Sequence, residues 1–174
     1  MKKIFILLLA CFLFFPRCGY HLRGTGSFLP SHIKKVRIPM FKNLTTRYEL
    51  DLKLTRSVID EFVIRGKVEV TTSEESSDAV LIGEIITFTV NPIAFAGREA
   101  TDATADRYNI TVRVKVSLRD LVKRKVIYSN PSYIYQEEYE VPPGTDFETV
   151  ETEAVDRIAE KFARSVVITI LEGF

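Results

Sequence analysis

Few side chains in this sequence are both reactive and placed where catalysis could use them. Its two cysteines, Cys11 and Cys18, and its two histidines, His21 and His32, all fall within the first 32 residues. The rest of the chain offers no thiol and no imidazole. Cysteine nucleophiles, a disulfide framework and cysteine-bound metal are therefore excluded from the folded body. Carboxylates gather in Ser73 to Asp78, in Glu137 to Glu140 and beyond Glu148, where solvated loops and helix caps account for them. No acid–base pair or metal-ligand spacing stands out, and the expectation is a binding protein rather than an enzyme, with no metal. Two kinds of chemistry remain. Cys18 is a thiol at the end of an apolar segment, where it can accept a lipid. Arg98, in a small and polar stretch, and Lys123-Arg124-Lys125, between two β-prone runs, are cations that loops would present for binding.

The segment ahead of Cys18 explains why lipid is the expected modification. Met1-Lys2-Lys3 supplies positive charge and Ile4 to Phe15 is apolar without interruption, too short for a bilayer-spanning helix of roughly 20 residues. Residues 1–17 read as a secretory signal peptide. Cys18-Gly19 follows directly, the arrangement of a bacterial lipoprotein, whose cysteine carries diacylglycerol and an N-acyl chain. Burial of such chains gives about 0.8 kcal/mol per CH₂, so several anchor a protein firmly. Leu8-Leu9-Ala10-Cys11 is a second candidate, because Arg17 is an unusual residue immediately before a lipidated cysteine. The residues alone leave Cys11 and Cys18 both open.

Apolar residues make up 46% of the chain, enough for one ordinary core. Taking Lys2, Lys3 and Arg17 from the 24 basic residues leaves 21 against 23 acidic ones, a net of −2 that argues against nucleic acid as partner. Residues 18–30 contain Gly24, Gly26 and Pro30 and read as a tether; residues 31–174 read as a single domain.

Periodicity assigns the elements of that domain. Val36 and Ile38 alternate with Lys35 and Arg37 in a short strand, expected at a sheet edge. Thr46 and Glu49 have capping-box spacing, and Leu50, Leu54, Val58 and Phe62 form the stripe of a helix from about Arg47 to Arg65, ended by Gly66. Val68 to Thr71 is a short strand. Ala79 to Val90 is a longer one, with Gly83 a possible bulge and Asn91-Pro92 its end, followed by a loop from Ile93 to Asp106. Tyr108, Ile110, Val112, Val114, Val116 and Leu118 alternate with Asn109, Thr111, Arg113, Lys115, Ser117 and Arg119, giving one buried and one solvated face. A charged turn leads to a tyrosine-rich strand from Val126 to Glu138, where Asn130-Pro131 implies an edge or a bulge. Thr145 and Glu148 repeat the capping-box spacing ahead of a last helix striped by Phe147, Val150, Ala154, Ile158, Phe162 and Val166. The expected class is α+β, two helices packed on one face of a mostly antiparallel or mixed sheet of four to five strands.

Cys18-Gly19-Tyr20-His21-Leu22-Arg23-Gly24 resembles the opening of the mature LptE family of lipopolysaccharide-assembly lipoproteins, and the order and length of the later elements match that family throughout. The resemblance aligns lipid attachment with Cys18. It implies a lipid-anchored outer-membrane protein that sits on the periplasmic side inside the lumen of the large β-barrel LptD, supports its assembly, and binds lipopolysaccharide. In that light Arg98, Lys123, Arg124 and Lys125 are lipopolysaccharide-binding candidates. Arg113 and Lys115 on the solvated strand, with Tyr133 and Tyr135, which pair an apolar body with a polar tip, are partner-interface candidates. The family's basic residue just ahead of the last helix has no counterpart, since Glu137 to Asp146 holds none. Two other classes compete. A lipoprotein activator of a peptidoglycan synthase needs a long linker, whereas Gly19 to Pro30 reaches only about 40 Å at roughly 3.3–3.6 Å per residue. A lipid carrier needs a deep apolar cavity.

Overall fold

The stripes and alternations of the sequence become two helices and six strands in the computed structural model, which describes residues 28–96, 104–142 and 144–173. In chain order these are β1 (Lys35–Arg37), β2 (Lys42–Asn43), α1 (Leu50–Arg65), β3 (Glu69–Thr71), β4 (Ala79–Ala96), β5 (Thr104–Asp120), β6 (Lys125–Glu140) and α2 (Phe147–Glu172). The sheet runs β3-β1-β4-β5-β6, with β2 also on β4. Pairing is parallel among β1, β2, β3 and β4 and antiparallel along the long β4-β5-β6 meander, so the sheet is mixed and both helices lie on one face. The anchor candidates Cys11 and Cys18, the tether up to residue 27, and Arg98 lie outside the described residues.

Pairing moves one element from where its sequence suggested. β1 lies between β3 and β4, not at an edge. Its basic flanks are tolerated there because Lys35 meets Glu69 at 3.5 Å and Arg37 meets Glu74 at 2.7 Å. Asp78 fixes the entry to β1 by accepting the backbone N–H groups of Lys34 and Lys35, both at 2.8 Å. β4 runs on past Asn91-Pro92 to Ala96. Beyond Ile85 it pairs with β5 alone, and a strand with one open side accommodates proline. Pro131 does mark a bulge on an edge strand, between the pairs Val116↔Asn130 and Val114↔Tyr133.

Gly83 is no bulge: it pairs in register with Val116, and the irregularity falls between Ile85 and Thr87. Its role is close approach. A Cβ at Gly83 would lie 2.5 Å from Cδ2 of the Phe41 ring, which is only 2% exposed. That ring is held over the strand by its own backbone, as Phe41 N–H donates to Thr55 Oγ1 at 2.9 Å and Thr55 Oγ1 donates in turn to Asp51 O at 2.6 Å.

The helix ends also differ in detail from their capping-box patterns. Glu49 precedes α1 in the left-handed region at φ 57° with no side-chain cap. Asn43 organises this approach instead, accepting from Thr45 N–H and donating to Arg47 O. Gly66, at φ 60°, ends α1 by donating to Phe62 O and Val63 O. For α2 the cap is Asp146, one residue beyond Thr145, with Thr149 N–H and Oγ1 both donating to it at 2.8 Å.

The two helices run in the same direction. Arg47, just ahead of α1, pairs with Glu151, Lys53 with Asp156, and Arg65 with Glu172, so positions from the start of α1 to its end meet positions from the start of α2 to its end. Their inner faces, Leu50, Leu54, Val58 and Phe62 on α1 and Ile158, Phe162, Val166 and Ile170 on α2, are buried against Leu81, Ile85, Ile110, Val112, Val114, Val116 and Leu118 of the sheet. The core predicted from alternation on β5 and the stripes on both helices is the one formed.

Three carboxyls tie loops to this frame, and all three are held below the usual 3.8. Asp78 is lowered by the Lys34 and Lys35 N–H groups and Asp146 by Thr149. At Asp120 burial pulls the other way, but the Lys123 N–H and His32 outweigh it. Each carboxyl binds its proton less tightly folded than unfolded, so its stabilisation is complete above the unfolded value and is lost as pH falls through the lowered folded values. Denaturant midpoints should hold steady near pH 6 and drop below about pH 4; a midpoint flat from pH 6 to pH 2.5 would contradict the three contacts.

Candidate functional site

Alternation on β4, β5 and β6 puts every second residue on the face the helices do not cover. Opposed side chains there form ladders: Glu84 faces Lys115, Thr87 faces Arg113 and then Ile134, Thr89 faces Thr111 and then Gln136, and Asn91 faces Asn109 and then Glu138. Lys115 Nζ lies 3.3 Å from Glu84 Oε2, Gln136 Nε2 donates to Thr111 Oγ1 at 3.2 Å, and Arg107 reaches Glu138 at 4.0 Å. Arg113, Lys115 and Arg119 are exposed, and Arg113 and Arg119 make no ion pair among the described residues. This open face is a broad polar surface on which only a few apolar side chains, such as Ile82 at 38% and Ile134 at 49% exposure, stand free. Sequence alternation identified the β5 ladder. It did not identify the β6 partners, because their phase depends on the bulge at Pro131.

That bulge also decides the tyrosines. From Asn130 to Tyr133 β6 advances three residues while β5 advances from Val116 to Val114. The extra residue restores phase, so Tyr128, Tyr133, Tyr135 and Tyr139 oppose Leu118, Val114, Val112 and Tyr108 on the helix side. The Tyr133 hydroxyl lies 2.7 Å from Ser165 Oγ, and its ring meets Phe162 edge-on with centroids 5.9 Å apart. Tyr135 donates to Glu137 Oε2 at 2.8 Å, and burial, with that hydrogen bond and the carboxylate charge, pushes its hydroxyl up to about 12. Glu137 is also paired with Lys161 and lies 3.7 Å from Arg157. Tyr133 and Tyr135 thus join β6 to α2, on the opposite side from Arg113 and Lys115.

The third group of candidates lies apart from both. Lys123, Arg124 and Lys125 sit in and just past the β5–β6 turn, all exposed, with Arg124 left-handed at φ 52°. Asp120 shapes the turn: its carboxylate accepts Lys123 N–H at 2.8 Å and lies 2.8 Å from His32 Nε2. Among the described residues no group of three or more His, Cys, Asp or Glu could hold a metal, and no helix is long and apolar enough to cross a membrane.

The domain is thus a mixed sheet with parallel helices on one face and a ladder of polar side chains on the other. Solved structures share this fold at low identity. A hypothetical protein of Chlamydia trachomatis matches with a TM-score of 0.51 and 11% identity, over 79% of this chain and 95% of that one. A protein of Xanthomonas campestris matches with a TM-score of 0.50 and 12% identity, over 79% and 84%. The comparison with curated proteins returns no match. The sequence itself is decisive, because the family model LptE, lipopolysaccharide-assembly, matches residues 33–170. The chain belongs to the LptE lipopolysaccharide-assembly family.

Proposed function

We propose that this protein is a lipid-anchored component of the outer-membrane machine for lipopolysaccharide, in which it supports and plugs the LptD barrel. The observation that carries the reading is the open face of β4-β5-β6. A barrel lumen of this kind is lined with polar side chains, and a plug must meet it with polar groups that are still free to pair. Arg113 and Arg119, unpaired among the described residues, and the Thr, Asn and Gln ladder around them provide those groups. The tyrosines of β6 contribute by fixing α2 to the sheet, which keeps this face rigid. Cys18 carries the diacylglycerol and N-acyl chains and holds the domain on the periplasmic side. Recognition of lipopolysaccharide falls to cations that can receive its phosphates, with Arg98 and the Lys123-Arg124-Lys125 turn as the candidates.

The test is purification of the full-length chain through a C-terminal tag from outer membranes in mild detergent. A large β-barrel should accompany it in equal amount, together with lipopolysaccharide that decreases when Arg98 is replaced by Ala. Recovery of a peptidoglycan synthase in place of a barrel would overturn the reading. Lipopolysaccharide unchanged by Arg98→Ala would remove Arg98 from it.

A further inference from the structure

Segments far apart in sequence meet at one end of the domain. Phe28 N–H donates to Leu171 O at 2.9 Å, and Arg65, in the last turn of α1, lies 3.3 Å from Glu172 of α2. From there a chain of backbone bonds crosses the sheet: Glu69 N–H to Lys34 O at 2.8 Å, Asp78 N–H to Lys35 O at 2.9 Å, and Leu121 N–H to Asp78 O at 2.8 Å. The ends of both helices, the entry of the chain at Phe28 and the β5–β6 turn therefore share one end.

That end is amphipathic. Ile64 is 77% exposed, Val122 62% and Phe28 51%, while Lys123, Arg124 and Lys125 project beside Val122. Three acidic residues at this end are already engaged: Asp120 is 1% exposed and bound to His32, Glu69 pairs with Lys35, and Glu172 with Arg65. The cations of the turn make no ion pair among the described residues. Apolar side chains set among unpaired cations are the composition of a surface that lies in a lipid headgroup layer.

We propose that this end, where it faces the periplasmic side, rests on the membrane leaflet that holds the acyl chains, with Lys123, Arg124 and Lys125 against anionic phospholipid headgroups and Val122, Ile64 and Phe28 in the interfacial layer. This leaves Arg98 as the lipopolysaccharide candidate. The inference rests on lipid attachment at Cys18. From Cys18 to Phe28 the chain reaches at most about 35 Å at roughly 3.3–3.6 Å per residue, which keeps this end, in preference to the opposite one, within reach of the leaflet. Three basic residues near an anionic surface favour its association by on the order of 100-fold.

The chain contains no tryptophan, so one introduced indole reports its own surroundings. Full-length protein carrying Val122→Trp, with acylation verified by mass, is placed in phosphatidylcholine vesicles containing phosphatidylglycerol and titrated with brominated lipid. Tyr48→Trp, at an 85% exposed position ahead of α1, is the comparison. The expected result is blue-shifted, lipid-quenched emission for Val122→Trp and neither effect for Tyr48→Trp. Lys123→Glu, Arg124→Glu and Lys125→Glu together should abolish the quenching while the protein stays on the vesicles. Equal behaviour of the two tryptophans on vesicle-bound protein would overturn the footprint while leaving lipid attachment standing. Quenching that needs lipopolysaccharide in the vesicle would overturn it in favour of a lipopolysaccharide site at the turn. A mature chain without acyl groups would overturn lipid attachment and this proposal with it.

Discussion

Phe162→Ala should unfold at a midpoint lower by about 3–5 kcal/mol, the cost of deleting a large buried aromatic and leaving its cavity. Phe162 is fully buried at the centre of α2's inner face and receives the edge of Tyr133 at 5.9 Å. The side chain sits where α2, α1 and the sheet share one core, so the neighbours cannot all close the void at once. In a chain of this size the loss corresponds to a fall in Tm of roughly 10 °C. Thermal denaturation followed by circular dichroism measures it, and a shift below about 1 kcal/mol would show that the helix pair is not seated on the sheet as described.

The second large effect comes from adding atoms. Gly83→Ala should destabilise by about 1–3 kcal/mol, the range for overpacking a filled core, since the new methyl would stand 2.5 Å from the Phe41 ring. Phe41 cannot simply swing away, because its N–H is bound to Thr55 Oγ1 and its ring is buried. The specific signature is coupling between the two positions. Phe41→Leu should lose stability in the parent but restore part of it in the Gly83→Ala chain, giving a non-additive double-mutant cycle. Additive losses would mean that Phe41 does not lie over Gly83.

These two sites also show what the sequence could and could not convey. Phe162 was legible, because a stripe repeating at three to four residues can bury only one face of a helix. So was the open face of β5, where strict alternation from Tyr108 to Arg119 separates Val112 and Val114 from Arg113 and Lys115. Gly83 was legible as an exceptional position, but not its cause: close approach depends on Phe41, which is distant in sequence. The same holds wherever a partner strand or a single added residue decides the outcome. β1 reads as an edge strand until β3 is known to pair outside it. The bulge at Pro131 turns Tyr133 and Tyr135 toward α2. The cap of α2 moved by one residue, because Asp146 accepts both the backbone and the hydroxyl of Thr149. Local patterns specify elements and faces; registers and contacts between elements depend on which segments meet.

For function, the division is similar. The resemblance at Cys18 to Gly24 and the family match over residues 33–170 point to the same assembly system, while the fold supplies what neither contains, the separation of three surfaces. Arg113 and Lys115 lie on the open sheet, Tyr133 and Tyr135 on the helix side, and Lys123 to Lys125 at the end where the chain enters.

The central claim is that the open sheet face is the one that meets the barrel. A photo-crosslinking amino acid placed at Arg113, on that face, and at Arg56, exposed on the outer side of α1, tests it in intact cells. The account predicts a crosslink to a large β-barrel from position 113 and none, or far less, from position 56. A strong barrel crosslink from position 56 with none from position 113 would contradict it, placing the helices against the partner and the ladder of polar side chains elsewhere.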